Sequence, residues 1–304
     1  MKQASKSSNG RPAVKSGTFV IVGDLAVHRL GFGAMRLTGP GVWGEPSDRR
    51  EAVAVLREAV DLGITLIDTA DSYGPEVSER LIAEALYPYG SDLAIATKAG
   101  LRRPGPDQWV EDGRPEHLRS ACEGSLRRLR LERIDLFQLH RIDPKVALED
   151  QIGLLVDLQR EGKIRHIGLS EVKVKQIKAV RKMTRVASVQ NLYNLIDRTS
   201  EDVLEYCGRE GIGFIPWSPL AMGDLAKRGS LLAEAAGRLG VQPAQMALAW
   251  LLRKSPVMLP IPGTSTVEHL MENTASALIT LDDSTMKELE RSGGDGAYLA
   301  GATR

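Results

Sequence analysis

Cysteine is nearly missing from this chain: Cys122 and Cys207 are the only two in 304 residues. Both sit in helix-like patterns, which points to reduced thiols in a cytoplasmic compartment rather than a disulfide scaffold. Histidine is scarce as well. His28, His117, His140, His166 and His269 form no ligand-spaced pair, so no metal site is expected and a metal-dependent hydrolase has no support. No apolar run reaches the roughly 18 residues a spanning helix needs, and no signal-peptide core is visible. The formal net charge of +1 gives neither nucleic acid nor an anionic membrane an electrostatic handle. Residues 1–17 are rich in Ser, Lys and Gly without periodicity. They read as a disordered tail ahead of a single domain over 18–304.

What is present is a regular alternation. Thr18 to Val27 reads as a β-hairpin turning at Gly23-Asp24. Strand-like apolar runs follow at 30–34, 65–68, 93–97, 134–139, 164–169, 186–190, 214–216 and 257–261. Helix-period segments come after them, at 50–62, 78–86, 115–129, 148–160, 173–182, 201–210, 243–252 and 267–278, with an extra helix at 231–240. Ser78 is expected as an N-cap, Pro115 and Pro243 in first turns, and Gly63, Gly162 and Gly211 just past helix ends. Eight strand–helix pairs in about 240 residues is the count and length of an α/β (β/α)₈ TIM barrel with an N-terminal hairpin and extra helices. An open doubly wound sheet is the competing arrangement. It is disfavoured because no Gly-rich phosphate loop follows the first strand.

The stretch Leu66-Ile67-Asp68-Thr69-Ala70-Asp71-Ser72-Tyr73-Gly74 ends an apolar run in two carboxylates, two hydroxyls and a phenol. Thr97-Lys98, Leu139-His140, Leu169-Ser170, Val189-Gln190 and Pro216-Trp217-Ser218 also set polar residues at the ends of apolar runs. Singly, each is most often a solvated or packed residue. In a barrel, however, strand carboxyl ends converge on one face, so Asp68, Lys98, His140, Ser170, Gln190 and Trp217 would surround one pocket. An aspartate, a tyrosine, a lysine and a histidine so placed suggest proton transfer to a substrate oxygen.

Gly31-Phe32-Gly33-Ala34-Met35, Asp68-Thr69-Ala70 with Tyr73-Gly74, Thr97-Lys98, Leu139-His140, Gly168-Leu169-Ser170, Gln190-Asn191, Trp217-Ser218-Pro219-Leu220 and Ile261-Pro262-Gly263-Thr264-Ser265 stand in order along the chain. This ordered set resembles the aldo-keto reductase superfamily, over essentially the whole of residues 18–281. Gly33 to Gly44 and Ala85 to Tyr89 look most like its bacterial pyridoxal reductase-like branch. The resemblance implies a tetrad of Asp68, Tyr73, Lys98 and His140, and an NADP cofactor. Tyr73 is the implied general acid. A free phenol, with pKa ~10, is a reluctant donor, and a neighbouring Lys98 ammonium is expected to lower it. Asp68 would keep that ammonium charged, and His140 would donate to the developing oxyanion.

By the same resemblance, Trp217 stacks on the nicotinamide while Ser170 and Gln190 hold its carboxamide. Ala34, Met35 and Asp68 also border the cofactor. Ser218, Pro219, Leu220 and Met222 line the pyrophosphate, and Gly263, Thr264, Ser265, His269, Glu272 and Asn273 match the adenosine end. The start of the helix near Thr266 suits a 2′-phosphate. Two positions depart from the family pattern. Glu171 replaces the usual Asn after Ser170, and an ionised carboxylate only accepts hydrogen bonds. Either the grip on nicotinamide is weaker, or Glu171 carries a proton, or its side chain points elsewhere. His269 stands where an Arg often meets the 2′-phosphate, and histidine as a residue type is mostly uncharged at pH 7.

The expected partner is a small carbonyl substrate. Trp43, Tyr73, Trp109, Tyr193 and Trp217 offer pocket walls, with His140 beside them. Arg36, Arg102, Arg103 and Arg141 could meet an anionic group, although a solvated rim is the plainer reading. The resulting expectation is an NADPH-dependent reductase of an aldehyde or ketone, such as pyridoxal or a small aromatic aldehyde, acting as a monomer or weak homo-oligomer. The alternative is a cofactor-sensing binding subunit built on the same fold.

Overall fold

Alternation along the strands decides which face each residue takes. The structure, a computed structural model, describes residues 10–221 and 231–292. The hairpin is β1 (Thr18–Ile21) and β2 (Leu25–His28). Then come β3 (Phe32–Gly33), α1 (Arg49–Asp61), β4 (Leu66–Asp68), α2 (Val77–Leu86) and β5 (Ala94–Ala99). A small excursion, β6 (Leu101–Arg102) paired with β7 (Val110–Glu111), precedes α3 (Pro115–Leu129). The alternation resumes with β8 (Ile134–Leu139), α4 (Leu148–Arg160), β9 (Ile164–Ser170), α5 (Val174–Val180), β10 (Ser188–Leu192), α6 (Glu201–Glu210) and β11 (Gly213–Trp217). Four helices follow: α7 (Leu231–Leu239), α8 (Pro243–Lys254), α9 (Val267–Ala275) and α10 (Asp283–Ser292).

Seven strands form one parallel sheet in the order β3-β4-β5-β8-β9-β10-β11. This is an α/β fold of TIM-like type. Ile67, Ile95, Phe137, Leu139, Ile167, Leu169 and Val189 pack outward among the helices. The opposite face is lined by small or polar residues, and at the amino ends by Leu66, Ala94, Ala96, Leu136 and Ile215. The hairpin drives Ile21, Leu25 and Val27 into that inner cluster. It therefore fills the amino-terminal end of the sheet's inner face and leaves the carboxyl ends to the polar residues.

Four expectations need correction. Residues 10–17 are part of the fold, not a tail. Pro12–Ser16 forms a 3-10 turn that buries Ala13, whose N–H donates to Leu62 O, and the Ser16 hydroxyl accepts from Leu30 N. The expected eighth strand at 257–261 forms only an isolated bridge, Met258 to Phe214. The reason is chemical: Pro256, Pro260 and Pro262 have no N–H to give a ladder. The segment still bonds both sheet edges, through Phe214 N to Val257 O, Leu259 N to Phe214 O and Gly31 N to Pro260 O. Ser78 does not cap α2. Glu76, with a left-handed φ of 67°, stands at the N-cap, while the buried Ser78 hydroxyl donates to Ala34 O and accepts from Thr69. Finally, α10 was not expected at all, since only Met286 and Leu289 of its residues turn inward.

Arg29 stitches the proline-rich seam. Its guanidinium donates to Leu252 O and Ser255 O at 2.5 Å, Met258 O at 3.3 Å and Ser16 O at 3.4 Å. Replacing Arg29 with Met strands these carbonyls. The expected loss is about 3 kcal/mol, at the upper end for charge-assisted hydrogen bonds, measured as a lower urea midpoint for the whole chain.

Candidate active site

The site begins with strand register. Asp68 lies opposite Ala96, and Lys98 opposite Gln138, so Asp68, Lys98 and Gln138 share the inner face. Lys98 is completely buried and Asp68 is 2% exposed. The Lys98 ammonium spends its three protons on Asp68 Oδ1 at 2.5 Å, Thr69 O at 2.8 Å and Tyr73 Oη at 3.3 Å. Asp68 Oδ2 accepts from Gln138 Nε2 at 3.0 Å and from Gln190 Nε2 at 2.9 Å. A buried ion pair survives only when the remaining donors and acceptors are met, and here they are. Burial works against the Lys98 charge, but Asp68 and Tyr73 outweigh it and raise its pKa.

Tyr73 behaves otherwise than expected. Burial lifts its phenol above the usual value, and the Lys98 charge only partly counters this. The ring reaches the site because its loop is tied down at several backbone points. Asp71 N donates to Lys98 O, Tyr73 N to Ala70 O, and Ser78 N to Tyr73 O. Gly74 sits at φ 104°, where a Cβ would fall 2.4 Å from the Val77 Cβ. Asp71, the second carboxylate of the stretch, is buried with its Oδ1 unpartnered among the described residues. Burial and neighbouring Glu79 push its pKa well up.

His140 follows β8 and is 6% exposed. Burial, aided by the Lys98, Arg141 and Arg103 charges, drops its pKa well below the ordinary value, so the imidazole is neutral at pH 7. Its Nδ1 meets Ser72 Oγ at 3.4 Å. The Tyr73, His140 and Trp109 rings meet edge-on, with centroids 6.0–6.3 Å apart. Trp43 bridges to Gly74, and Arg103 lies 5.7 Å from the Trp43 ring and 3.6 Å from that of Trp109. Tyr193 is no wall of this space. It is buried between Phe214 and Trp250, its hydroxyl donating to Glu201.

Of the residues expected to hold a cofactor, Ser170 and Gln190 stand side by side on paired strands. Glu171 points elsewhere, the third of its open alternatives. At φ 54° it turns its carboxylate to Trp217 Nε1 at 2.6 Å and Leu192 N at 2.8 Å, bracing the Trp217 ring at the end of β11. Ser218 continues at φ 53°, with its carbonyl held by Asn194 Nδ2, and Pro219 and Leu220 follow. Met222 lies outside the described residues. Ala34 and Met35 open a 3-10 turn beside Gly263, where a Cβ would come within 2.6 Å of Gly33 O. Thr264 and Ser265 lead into α9, capped by Thr266, with His269 exposed and Asn273 buried. His269, Glu272 and Asn273 share one face by their spacing.

Gln138 is absent from the expected site residues, and Arg103 was expected only as a group that could meet an anion, not as the clamp on loop carbonyls that its bonds make it. Gln138 stands two residues before His140 on the same face, a signal that alternation alone carries. It fits because Gly168 has no side chain: a Cβ there would lie 2.7 Å from Gln138 Cγ.

Residues 29–293 match the Aldo/keto reductase family. The chain is 52% identical over 287 residues to an uncharacterized oxidoreductase of Schizosaccharomyces pombe, covering 94% of this chain and 93% of that one. It is 41% identical over 283 residues to the pyridoxine 4-dehydrogenase of Escherichia coli, covering 91% and 98%. The crystal structure of an aldo-keto reductase from Klebsiella pneumoniae in complex with NADPH superimposes with a TM-score of 0.78 at 27% identity, over 91% of this chain and 96% of that one.

Removing one partner of the buried pair should cost far more than removing both. Asp68→Leu leaves an unpaired buried ammonium and is expected to lose about 3–5 kcal/mol. The double variant Asp68→Leu/Lys98→Met should recover most of it in the same denaturation experiment.

Proposed function

The chain belongs to the aldo/keto reductase family, and from that membership we propose that it is an NADPH-dependent reductase of aldehydes or ketones. The observation that carries this reading is the Lys98 ammonium, 3.3 Å from the Tyr73 hydroxyl and 2.5 Å from Asp68. We take the sheet to close into an eight-fold barrel, with 257–261 as the eighth stave.

The residues present fit the cofactor. The half-buried Trp217 ring is braced at a strand end for stacking. The Gln190 amide donates to Asp68, while its Oε1 has no partner among the described residues and is free to accept from a carboxamide. At the start of α9, Val267 N is committed to the Glu51 carboxylate and His269 N to the Thr266 cap, so the exposed Ser265 and His269 side chains are the groups left to meet a phosphate.

When bound, the nicotinamide supplies the hydride, and negative charge builds on the substrate oxygen. Tyr73 gives that oxygen its proton. A phenol held above its usual pKa is fully protonated at neutral pH, so the proton is present when needed. The Lys98 ammonium stabilises the tyrosinate left behind, and Asp68 with Gln138 and Gln190 keeps Lys98 in place. In the tautomer where Ser72 donates to Nδ1, neutral His140 carries its proton on Nε2 and presents it to the same oxygen. Such preorganised donors stabilise the transition state without reorganising at the moment of reaction. Trp43 and Trp109 wall the substrate side. That arrangement, with the 41% identity to a pyridoxine 4-dehydrogenase, favours pyridoxal or another small aromatic aldehyde.

Tyr73→Phe should lower turnover about 10²–10⁴-fold, the usual worth of a positioned acid. NADPH affinity, followed by fluorescence titration, should stay unchanged. Near-normal turnover in this variant would remove Tyr73 as the acid. NADPH binding with no oxidation across a broad carbonyl panel would favour a cofactor-sensing subunit. Glu171→Ala should weaken NADPH binding several-fold by freeing the Trp217 ring; an unchanged Kd would show that the brace plays no part in the grip.

A further inference from the structure

Four arginines stand near the carboxyl ends of the strands, and their donors are committed very differently. Arg36 is exposed and lies beside Gly263, on the side expected to take the cofactor. Arg102 is exposed and paired with Asp112 at 2.9 Å. Arg103 is saturated with carbonyls. Its Nε donates to Gln108 O, Nη1 to Val42 O and Ser72 O, and Nη2 to Gly41 O, at 2.8–3.0 Å. Arg103 is a clamp on the loops that carry Trp43 and Tyr73, with nothing left for a ligand.

Arg141 differs from all three. It follows His140 directly and is half-buried. Its Nη1 donates to His140 O at 2.6 Å and to Ser170 Oγ at 3.1 Å. Those two bonds anchor the guanidinium across the ends of β8 and β9. Nε and Nη2 have no partner among the described residues, and neither is sealed from solvent. No carboxylate of the described residues lies within ion-pair distance of the group. Nε and Nη2 form one edge of the guanidinium plane, the edge that forks onto a carboxylate or phosphate. Its bonds to His140 O and Ser170 Oγ hold it at the mouth of the sheet, next in the chain to His140.

We infer that Arg141 holds an anionic group of the substrate, so that the preferred substrates are aldehydes or ketones bearing a carboxylate or phosphate. The inference rests on the reductase reading and narrows its substrate class. A half-buried guanidinium fixed at one nitrogen and open along one edge is oriented before the ligand arrives. Little side-chain entropy is then lost on binding. Glu171 and Glu111 act on the Arg141 charge from further off, but Glu171 is already committed to Trp217 and Leu192.

The test compares kcat/KM for 3- and 4-carboxybenzaldehyde with their uncharged methyl esters, by NADPH oxidation at pH 7 and low salt. The wild-type protein should favour an acid over its ester by about ten-fold or more, the range of a charge-assisted hydrogen-bond pair. In Arg141→Met that ratio should fall to about one. Arg141→Lys, which keeps the charge but loses the fork, should retain part of it. Raising the salt should lower the wild-type rate on the acids and leave the esters alone, a check that needs no variant to fold. Equal rates on acid and ester in the wild type overturn the inference. So does an unchanged ratio in Arg141→Met, even with both rates lowered, because Arg141 would then only prop His140 and Ser170. Reduction of the esters without preference leaves the reductase standing, whereas no turnover on either class overturns the inference and leaves the reductase reading to the broad carbonyl panel.

Discussion

An ammonium and a carboxylate sealed from water at the centre of the molecule set the terms for everything around them. Lys98 and Asp68 together are almost wholly buried, and neither could stay charged without the other. Their survival demands three acceptors around Nζ and a full set of donors around the carboxylate. Thr69 O, Tyr73, Gln138 and Gln190 meet that demand. The phenol is thus held at the charge by the same bonds that make the charge tolerable. In the proposed mechanism stability and reactivity draw on one network.

A second layer fixes parts that the first does not touch. Glu171 reaches across from β9 to brace Trp217 on β11, and Arg103 gathers Gly41, Val42, Ser72 and Gln108 under one planar group. Both are charged residues doing structural tasks in loops, where apolar packing is thin and directional bonds must hold the geometry. Gly168 contributes by absence, since the space a Cβ would take is occupied by Gln138. At the other end of the sheet, the hairpin and the turn at 12–16 bury apolar surface. The division between a stable end and a reactive end follows from which inner residues are apolar and which are polar.

Short apolar runs, helix-period segments and turn residues were enough to locate the seven parallel strands and most of the helices. Pro115 and Pro243 mark helix starts as expected, and Gly63, Gly162 and Gly211 take positive φ at helix ends. Those signals are local, because the backbone preference sits in the residue itself. The eighth strand differs for an equally local reason: its apolar run holds Pro260 and is flanked by Pro256 and Pro262, none of which can donate to a ladder. The turn at 12–16 and helix α10 escaped notice because their burial depends on partners far along the chain, such as Leu62 and Leu30 for the turn.

Asp68, Lys98 and His140 could be singled out from the residues alone, since polar groups closing apolar runs converge wherever parallel strands share one end, and the family resemblance added Tyr73 to them. The chain by itself thus determined which chemistry was available and at which strand ends it would stand. Only the tertiary structure decided where Glu171 points, that Gln138 completes the buried carboxylate, that burial raises the Tyr73 phenol, and which arginine keeps open donors. Each of those outcomes depends on distances between side chains from different strands and on the water excluded from between them. Neither quantity exists until the chain has folded.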